Sequence, residues 1–340
     1  MSTTGIQEQE ATKQALSQML VGAWITQAIY VAAELGIADL LVEKPLTAEE
    51  LAKRAGAHAN SLYRVLRALG SIGIFAEDEH GRFSLTPLAE HLRSDRADLH
   101  KSFAVMMGAE FYQSWGNLLH AVKTGNEAFR KTFGVTFFQY MTEHPDRHKI
   151  YDAAMEGFAV AETEPMIDAY DFSRFETVID VGGGNGLVLA SILRRHPAVK
   201  GILFDLPPVA DRARTIFSGL NLDGRCRIVG GDFFSSVPEG ANAYVLRHII
   251  HDWDDDDAVK ILRNCQEAMN PEGRVLVAEI AIPRGNSPCF GKWLDLMMLV
   301  VGGRERTEEQ YRRLFSEAGL KLNRIVPTAT EVSVLEAVRS

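Results

Sequence analysis

The sequence predicts an α/β chain: a mainly helical N-terminal region, then a parallel sheet with helices on both faces. Three observations lead there. From Thr177 onward, apolar strand-like runs alternate with helix-like segments, the pattern of a parallel sheet. The first run, Val178-Ile179-Asp180-Val181, ends in an acid and passes directly into Gly182-Gly183-Gly184-Asn185-Gly186, a glycine turn of the kind that joins strand to helix beneath a nucleotide. A second acid, Asp205, closes the next apolar run, Gly201-Ile202-Leu203-Phe204, about 20 residues after the glycines, where such a βαβ unit carries its ribose-binding carboxylate.

A chain of 340 residues with 46% hydrophobic content buries a sizeable core, and its length favours two domains. The formal net charge of -9 argues against a dedicated nucleic-acid binder, which would cluster Lys and Arg. Cys226, Cys265 and Cys289 are odd in number and far apart, so neither a disulfide framework nor a zinc ligand set is expected, and a reducing, cytoplasmic location is. Met1 to Gln14 is polar, carries Glu8 and Glu10, and reads as no export signal. The later run Leu294 to Val301 is too short to span a bilayer and is interrupted by Asp295, so no membrane partner is expected.

In the N-terminal region, Trp24 to Ala33 is apolar on nearly every side, which predicts a helix buried on more than one face and suited to an interface. Thr47 before Ala48-Glu49-Glu50 is an N-cap with acids in the first turn, opening a short helix from Glu49 to Ala55. A second helix over about 60–69 sets Leu62, Val65, Leu66 and Leu69 on one side. Ile74-Phe75-Ala76 and Arg82-Phe83-Ser84-Leu85 flank the polar turn Glu77 to Gly81 as two strands. Helix, turn, helix and hairpin in that order make a winged helix, a module that either binds DNA or packs against a second copy. Residues 1–100 hold nine basic against thirteen acidic side chains, and the second helix offers only Arg64 and Arg67, so the charge favours packing.

Residues 101–170 read as further helices rich in aromatic and apolar positions, most of them core and some suited to an acceptor cavity. The strands that follow are expected at 177–181, 200–205, 226–230, 242–247 and 274–280. A helix from about Glu308 to Ala318 ends at Gly319. Two last strands, about 321–326 and 332–338, lie too close in sequence to be parallel neighbours, so the sheet ends in an antiparallel pair.

Glycines alone are weak evidence for any particular cofactor. Here Asp180 precedes Gly182-x-Gly184-x-Gly186, and a third acid, Asp232, follows the third strand in Gly230-Gly231-Asp232-Phe233-Phe234. This fits S-adenosylmethionine better than a dinucleotide, whose pyrophosphate would meet an acidic rim. The turn holds the amino-acid part, Asp205 accepts from the ribose hydroxyls, and Asp232 with Phe233 holds the adenine by hydrogen bond and stacking.

The fourth strand ends in Arg247-His248-Ile249-Ile250-His251-Asp252-Trp253. Carboxyl ends of strands face the ligand crevice in open α/β sheets, which makes His251 the first candidate for chemistry and leaves His248 ambiguous. Asp254 to Asp257 reads as the acidic start of a helix from Ala258 to Met269; a metal site there lacks a matching ligand cluster. Glu279, at the end of the fifth strand, and Glu305, in Gly302-Gly303-Arg304-Glu305-Arg306-Thr307, are two acids either of which can hold a ring nitrogen of His251 and fix its tautomer.

Taken together, Asp180 to Gly186, Phe204-Asp205-Leu206-Pro207, Gly230-Gly231-Asp232, His251-Asp252-Trp253, Ala278-Glu279 and Gly302 to Thr307 resemble the plant caffeic acid and hydroxyindole type of O-methyltransferase, members of which also occur in bacterial secondary metabolism. The resemblance covers nearly the whole chain. It implies a Rossmann-like class I methyltransferase domain with an antiparallel last strand over 171–340, a helical linker over 101–170 contributing to the acceptor pocket, and a winged-helix dimerisation domain over 1–100. It implies a homodimer through the N-terminal helices, His251 as general base flanked by Glu279 and Glu305, and catalysis without a metal. Asp252, Leu206 and Arg247 become cofactor contacts. Met106, Met107, Tyr151, Met155, Phe158, His248, Met297 and Met298 match segments that touch the acceptor. The sequence departs from plant members at Arg247 and His248, where they usually carry Lys and Trp, and in a shorter stretch between Met298 and Gly302, so the resemblance does not carry over a phenylpropanoid acceptor. The implied activity is methylation of a hydroxyl on a small aromatic molecule. Its rivals are an NAD-dependent oxidoreductase, which leaves Asp232 without a task, a metabolite-sensing winged-helix regulator, which has no use for His251, and transfer to nitrogen.

Overall fold

The computed structural model describes residues 3–220, 222 and 224–340, with side chains from residue 9 onward; Met1 and Ser2 of the polar N-terminal segment lie outside the described residues. The chain forms two compact units, one of residues up to Gly116 with Met141–Phe158, the other of Asn117–Tyr140 with Ala159–Ser340. The stretch 101–170 is helical, as its composition predicts, but is shared between the two units rather than forming a block of its own.

In the first unit, helices Ala48–Ala55 and Ala59–Gly70 are followed by a small sheet. Thr47 and Glu50 form a full capping box at the start of the first helix, each side chain taking the other's backbone N–H. Leu62, Leu66 and Leu69 bury the inner face of the second. The hairpin has a third member absent from the sequence reading: β1 (Leu46–Thr47) pairs antiparallel with β3 (Arg82–Leu85), which pairs on its other side with β2 (Phe75–Glu77). Two residues are too short a strand to leave a periodic signal. Phe83 lies at the centre, fully buried, with Tyr63 edge-on to its ring at 6.0 Å. Helix Gly22–Glu34 differs from expectation. Ala32 and Ala33 are buried, but Trp24 is 72% exposed, and Leu16, Met19, Leu20 and Ile25 are exposed beside it in sequence, so the apolar surface is not covered within one chain.

The second unit is built on a seven-stranded sheet. Its strands are β4 (Thr177–Val181), β5 (Lys200–Asp205), β6 (Cys226–Gly230), β7 (Ala243–Arg247), β8 (Arg274–Glu279), β9 (Leu320–Pro327) and β10 (Ser333–Arg339), in the spatial order β6-β5-β4-β7-β8-β10-β9. The first five are parallel, and β10 is antiparallel to both β8 and β9. Only Thr328 to Val332 join β9 to β10, too short a link for a parallel crossover. Alternate residues feed two cores: Ile179, Val181, Tyr244 and Leu246 on one face, Val178, Leu203, Val245 and Leu276 on the other. The chain turns outward from β4 through β5 and β6, then returns to β7 on the other side of β4. That reversal opens a crevice at the carboxyl ends of β4 and β7.

One local detail differs from the sequence reading. The helix expected from Ala258 starts at Asp255, because Asp254 is itself the N-cap, its side chain accepting the Asp257 amide at 3.0 Å. Glu336, on the central strand β10, is buried and is accommodated by the Tyr170 hydroxyl at 2.6 Å, the Asn323 amide at 2.6 Å and Arg324 at 2.9 Å.

Truncating Phe83 to Ala empties the middle of the first unit's core. A loss of about 3–5 kcal/mol is expected, read as a lower urea midpoint for hydrogen-exchange protection of residues 46–92. An unchanged midpoint would mean that the small sheet does not organise this core.

Candidate functional site

The glycine turn lies at the head of the crevice. Gly182, Gly184 and Gly186 all have positive φ, at 68°, 59° and 80°, which side chains rarely adopt. The Gly184 amide donates to Asp205 Oδ2 at 2.8 Å and the Leu206 amide to Oδ1 at 2.7 Å, so Asp205 ties the turn to the end of β5. Leu206 itself is exposed. A Cβ on Gly182 would stand 2.5 Å from Ile249, after β7, and 3.7 Å from Phe233, after β6, which shows how closely three strand ends converge. Asp180 is buried, and its Oδ2 has no hydrogen-bond partner among the described residues. Burial pushes its carboxyl up to about 7, with Arg247 opposing and Asp205 adding to the rise. Asp232 is exposed and accepts the Phe234 amide at 2.9 Å. The Phe233 ring meets Trp253 edge-on at 6.0 Å.

Beyond β7 the chain makes a tight turn that carries the candidate base. Glu279, at the end of neighbouring β8, accepts the amides of Ile249, Ile250 and His251 at 3.1, 2.7 and 3.2 Å on its Oε1, while its Oε2 takes the Tyr311 hydroxyl. Glu279 is therefore a backbone clamp here. The His251 ring is held by Glu305 instead, with Nδ1 to Oε1 at 2.5 Å. The Glu305 segment reaches His251 because residue 303 is glycine: a Cβ there would stand 2.2 Å from the His251 carbonyl oxygen. That same oxygen accepts the Arg304 amide at 2.7 Å. Arg306, fully buried, braces the turn by donating to the carbonyls of Ile250 and Trp253, each at 2.9 Å, and to Asp255 at 2.8 Å. On the other side of the ring, Nε2 lies 3.5 Å from Asp252 Oδ1.

These contacts set the charges. Burial disfavours the His251 imidazolium, but Asp252, Glu305 and Glu279 outweigh it and hold the ring's pKa up at about 10. Asp252 is raised to about 6, by burial first and by Glu279 and Glu305 next, with His251 opposing. The structure thus brings the buried His251, Glu305 and Glu279 together with the half-buried Asp252.

Arg247 and His248 are both bound by a residue the sequence reading missed. Glu162, on helix Pro145–Ala169, accepts from Arg247 Nη2 at 2.7 Å and from His248 Nε2 at 2.9 Å through the same oxygen, Oε2. Burial works against its charge, but His248 and Arg247 hold its carboxyl down at about 2. Glu162 carries no local motif, and nothing within its helix marks it. Tyr311 and Asp295, whose Oδ1 accepts the Glu305 amide at 2.9 Å, were also missed. Of the residues expected to shape an acceptor cavity, Met297 and Met298 are buried on helix Phe290–Val301 of the second unit. Met106 is buried in the first unit, where Met107, Tyr151, Met155 and Phe158 are half-buried and Phe158 packs edge-on against Phe103 at 5.0 Å.

Strand order, antiparallel final strands and a ligand crevice at the carboxyl ends of β4 and β7 define the Rossmann-like fold of class I methyltransferases. The chain belongs to the O-methyltransferase family: the model for the O-methyltransferase domain matches residues 115–321, and that for the O-methyltransferase dimerisation domain matches residues 17–95. It is 47% identical over 323 residues to the phenazine O-methyltransferase of Lysobacter antibioticus, covering 95% of each chain. Its structure is similar to that of the mitomycin 7-O-methyltransferase, with a TM-score of 0.93 and 37% identity over 98% of this chain and 100% of the other. It is also similar to an O-methyltransferase from neocarzinostatin biosynthesis solved with S-adenosylmethionine and 2-hydroxy-5-methyl naphthoic acid, with a TM-score of 0.85 and 34% identity over 93% and 96% of the two chains.

The raised pKa of His251 is also a statement about stability. Its folded-state value lies above that of a free imidazole, so its contribution is complete below about 6.5 and is lost as the pH rises through about 10. Thermal unfolding of the wild type is expected to fall more steeply over that range than that of His251→Gln. Parallel curves would show that the folded state does not favour the imidazolium.

Proposed function

We propose that this chain is an S-adenosylmethionine-dependent O-methyltransferase acting on a hydroxyl of a small aromatic secondary metabolite, with His251 as general base. The observation that carries the reading is the His251–Glu305 pair. A carboxylate accepts only, so Nδ1–H is the donor, and Nε2 is left as the ring nitrogen that exchanges a proton with an acceptor. Glu279 serves the same step indirectly, by fixing the backbone from which His251 projects.

The residues at the glycine turn suit the cofactor. The buried, unpartnered Oδ2 of Asp180 wants a donor such as an ammonium or a hydroxyl, and Gly184 has open space where a Cβ would stand. Asp205, tied to the turn by two amides at the end of β5, is the carboxylate suited to the ribose hydroxyls. Asp232 and Phe233 suit the adenine, while Leu206, Arg247 and Asp252 complete the contacts. When bound, the cofactor supplies an electrophilic methyl on a sulfonium, leaving as S-adenosylhomocysteine, and this reading needs no metal. As the acceptor oxygen accepted that methyl, His251 would take the hydroxyl proton on Nε2. A phenol titrates near 10, close to the value for His251, so the transfer is nearly level. The ring must first shed its resting proton, which a cationic neighbour favours. The rate therefore climbs with pH on the alkaline side.

Calorimetric titration is expected to give binding of S-adenosylmethionine and S-adenosylhomocysteine and none of NAD, with the affinity lost in Asp205→Ala. His251→Ala is expected to keep that affinity and to lose about 10²–10⁴-fold in turnover of phenolic acceptors, assayed with a chelator present. Binding of NAD alone would turn the reading to an oxidoreductase. Equal loss of binding and turnover in His251→Ala would remove its role as base.

The reading includes a homodimer in a reducing cytoplasm, the latter supported by three free cysteines. Among the described residues, one helical stretch, Gln9–Glu34, is long and apolar enough to cross a membrane by length and composition, and only 6% of its most apolar window is buried. A second copy is the occupant that accounts for it, since the dimerisation-domain match includes Met19, Leu20, Trp24 and Ile25. Sedimentation without detergent is expected to give twice the 37.6 kDa chain mass, shifting toward monomer in a Trp24→Glu, Leu20→Glu variant. A wild-type monomer, or recovery only with lipid, would overturn the dimer.

A further inference from the structure

We propose that His248, positioned by Glu162, recognises a hydrogen-bond donor on the acceptor, a hydroxyl or amine beside the hydroxyl that is methylated. The inference rests on the methyltransferase reading and deepens it.

Four observations of the second unit carry it. First, His248 is one of two non-glycine residues with positive φ among those described, at 50°, so this side chain is kept in a backbone conformation it rarely adopts. Second, its Nε2 lies 2.9 Å from Glu162 Oε2, which Arg247 also binds at 2.7 Å. A carboxylate accepts only, so Nε2 carries the hydrogen, and the Arg247 cation balances the Glu162 charge. Third, the other ring nitrogen, Nδ1, is buried and has no hydrogen-bond partner among the described residues. Arg247 Nε beside it is likewise buried and unpartnered among the described residues, so the cluster presents open polar atoms where a ligand group would complete them. Fourth, the His248 ring lies 4.9 Å, centroid to centroid, from the ring of His251. That separation is within the span of two neighbouring substituents on one small aromatic ring.

With Nε2–H committed to Glu162, Nδ1 is the ring nitrogen left to present a lone pair to the acceptor. That lone pair takes a hydroxyl or amine hydrogen and rejects an ether oxygen in the same place, because two lone pairs would face each other. Glu162 touches no acceptor in this account. It is a positioning residue that sets the tautomer and angle of His248.

The test is equilibrium binding of 2,3-dihydroxynaphthalene, 3-methoxy-2-naphthol and 2-naphthol to the protein saturated with S-adenosylhomocysteine. In the wild type the dihydroxy probe is expected to bind about tenfold more tightly than the methoxy probe, the factor set by one hydrogen bond. That ratio is expected to collapse toward one in His248→Phe and to shrink in Glu162→Ala, a selectivity change that loosening of the fold would not by itself produce. Equal affinities in the wild type, or undetectable binding of all three probes, would overturn the inference while leaving the methyltransferase reading standing. Failure of S-adenosylhomocysteine itself to bind would overturn the reading and the inference with it.

Discussion

Three consecutive amides converge on one carboxylate oxygen, Glu279 Oε1, and the position of every group in the site follows from that contact. Parallel pairing sets Arg247 beside Ala278, so the next residue of each strand brings Glu279 to the foot of the turn that begins at His248. A charged acceptor taking several backbone N–H bonds is stronger than a neutral one, and each buried donor left without it would cost about 1–3 kcal/mol. The second oxygen of Glu279 holds Tyr311, whose helix directly follows the segment carrying Glu305. One fully buried side chain thereby connects the strand, the turn and the opposite wall.

The turn is also an unusual place for charge. Asp252, Glu279 and Glu305 gather around His251, Asp295 adjoins Glu305, and the buried cation braced against the same turn, Arg306, spends its donors on three carbonyls and Asp255 among the described residues. Burial raises the carboxyl pKa of both Asp252 and Asp295, which is the energetic penalty of crowding acids away from water. The imidazolium meets part of that penalty, which is why the ring holds its proton so firmly. Under the methyltransferase reading a sulfonium supplies the rest, and the same positive charge makes the ring easier to deprotonate. An acidic, half-satisfied pocket is a poor resting arrangement and a good one for a cationic ligand.

How much of this was legible in the sequence depended on whether the determinant was local. The strands from Thr177 to Glu279 announce themselves through apolar runs, and the glycine turn and Asp205 are fixed by spacing within one βαβ unit. The antiparallel end of the sheet followed from a short link, but the insertion of β10 between β8 and β9 did not, since neighbours in a sheet are chosen by packing. His251 was visible because strand ends face ligands. The division of labour between Glu279 and Glu305 was not, because it turns on which oxygen reaches amide and which reaches ring. Gly303 was quoted within a motif, yet its purpose, letting one backbone approach another, appears only when both are in space. Glu162 left no trace because its partners are 85 and 86 residues away in sequence.

The head of the turn is a strained residue, His248, at positive φ. The backbone must reverse at position 248 for the next three amides to point at Glu279, and glycine would do this with least strain. The ring at that position is held on one side by Glu162, through a carboxylate that Arg247 also binds. Strain maintained by a dedicated buried partner is more naturally explained by what the side chain does than by what the backbone needs. The clamp therefore separates two tasks that one turn would otherwise mix. Glu279 fixes the backbone from which the His251 ring projects, and Glu162 fixes the His248 ring beside it, so under the methyltransferase reading base and acceptor contact are held by separate carboxylates.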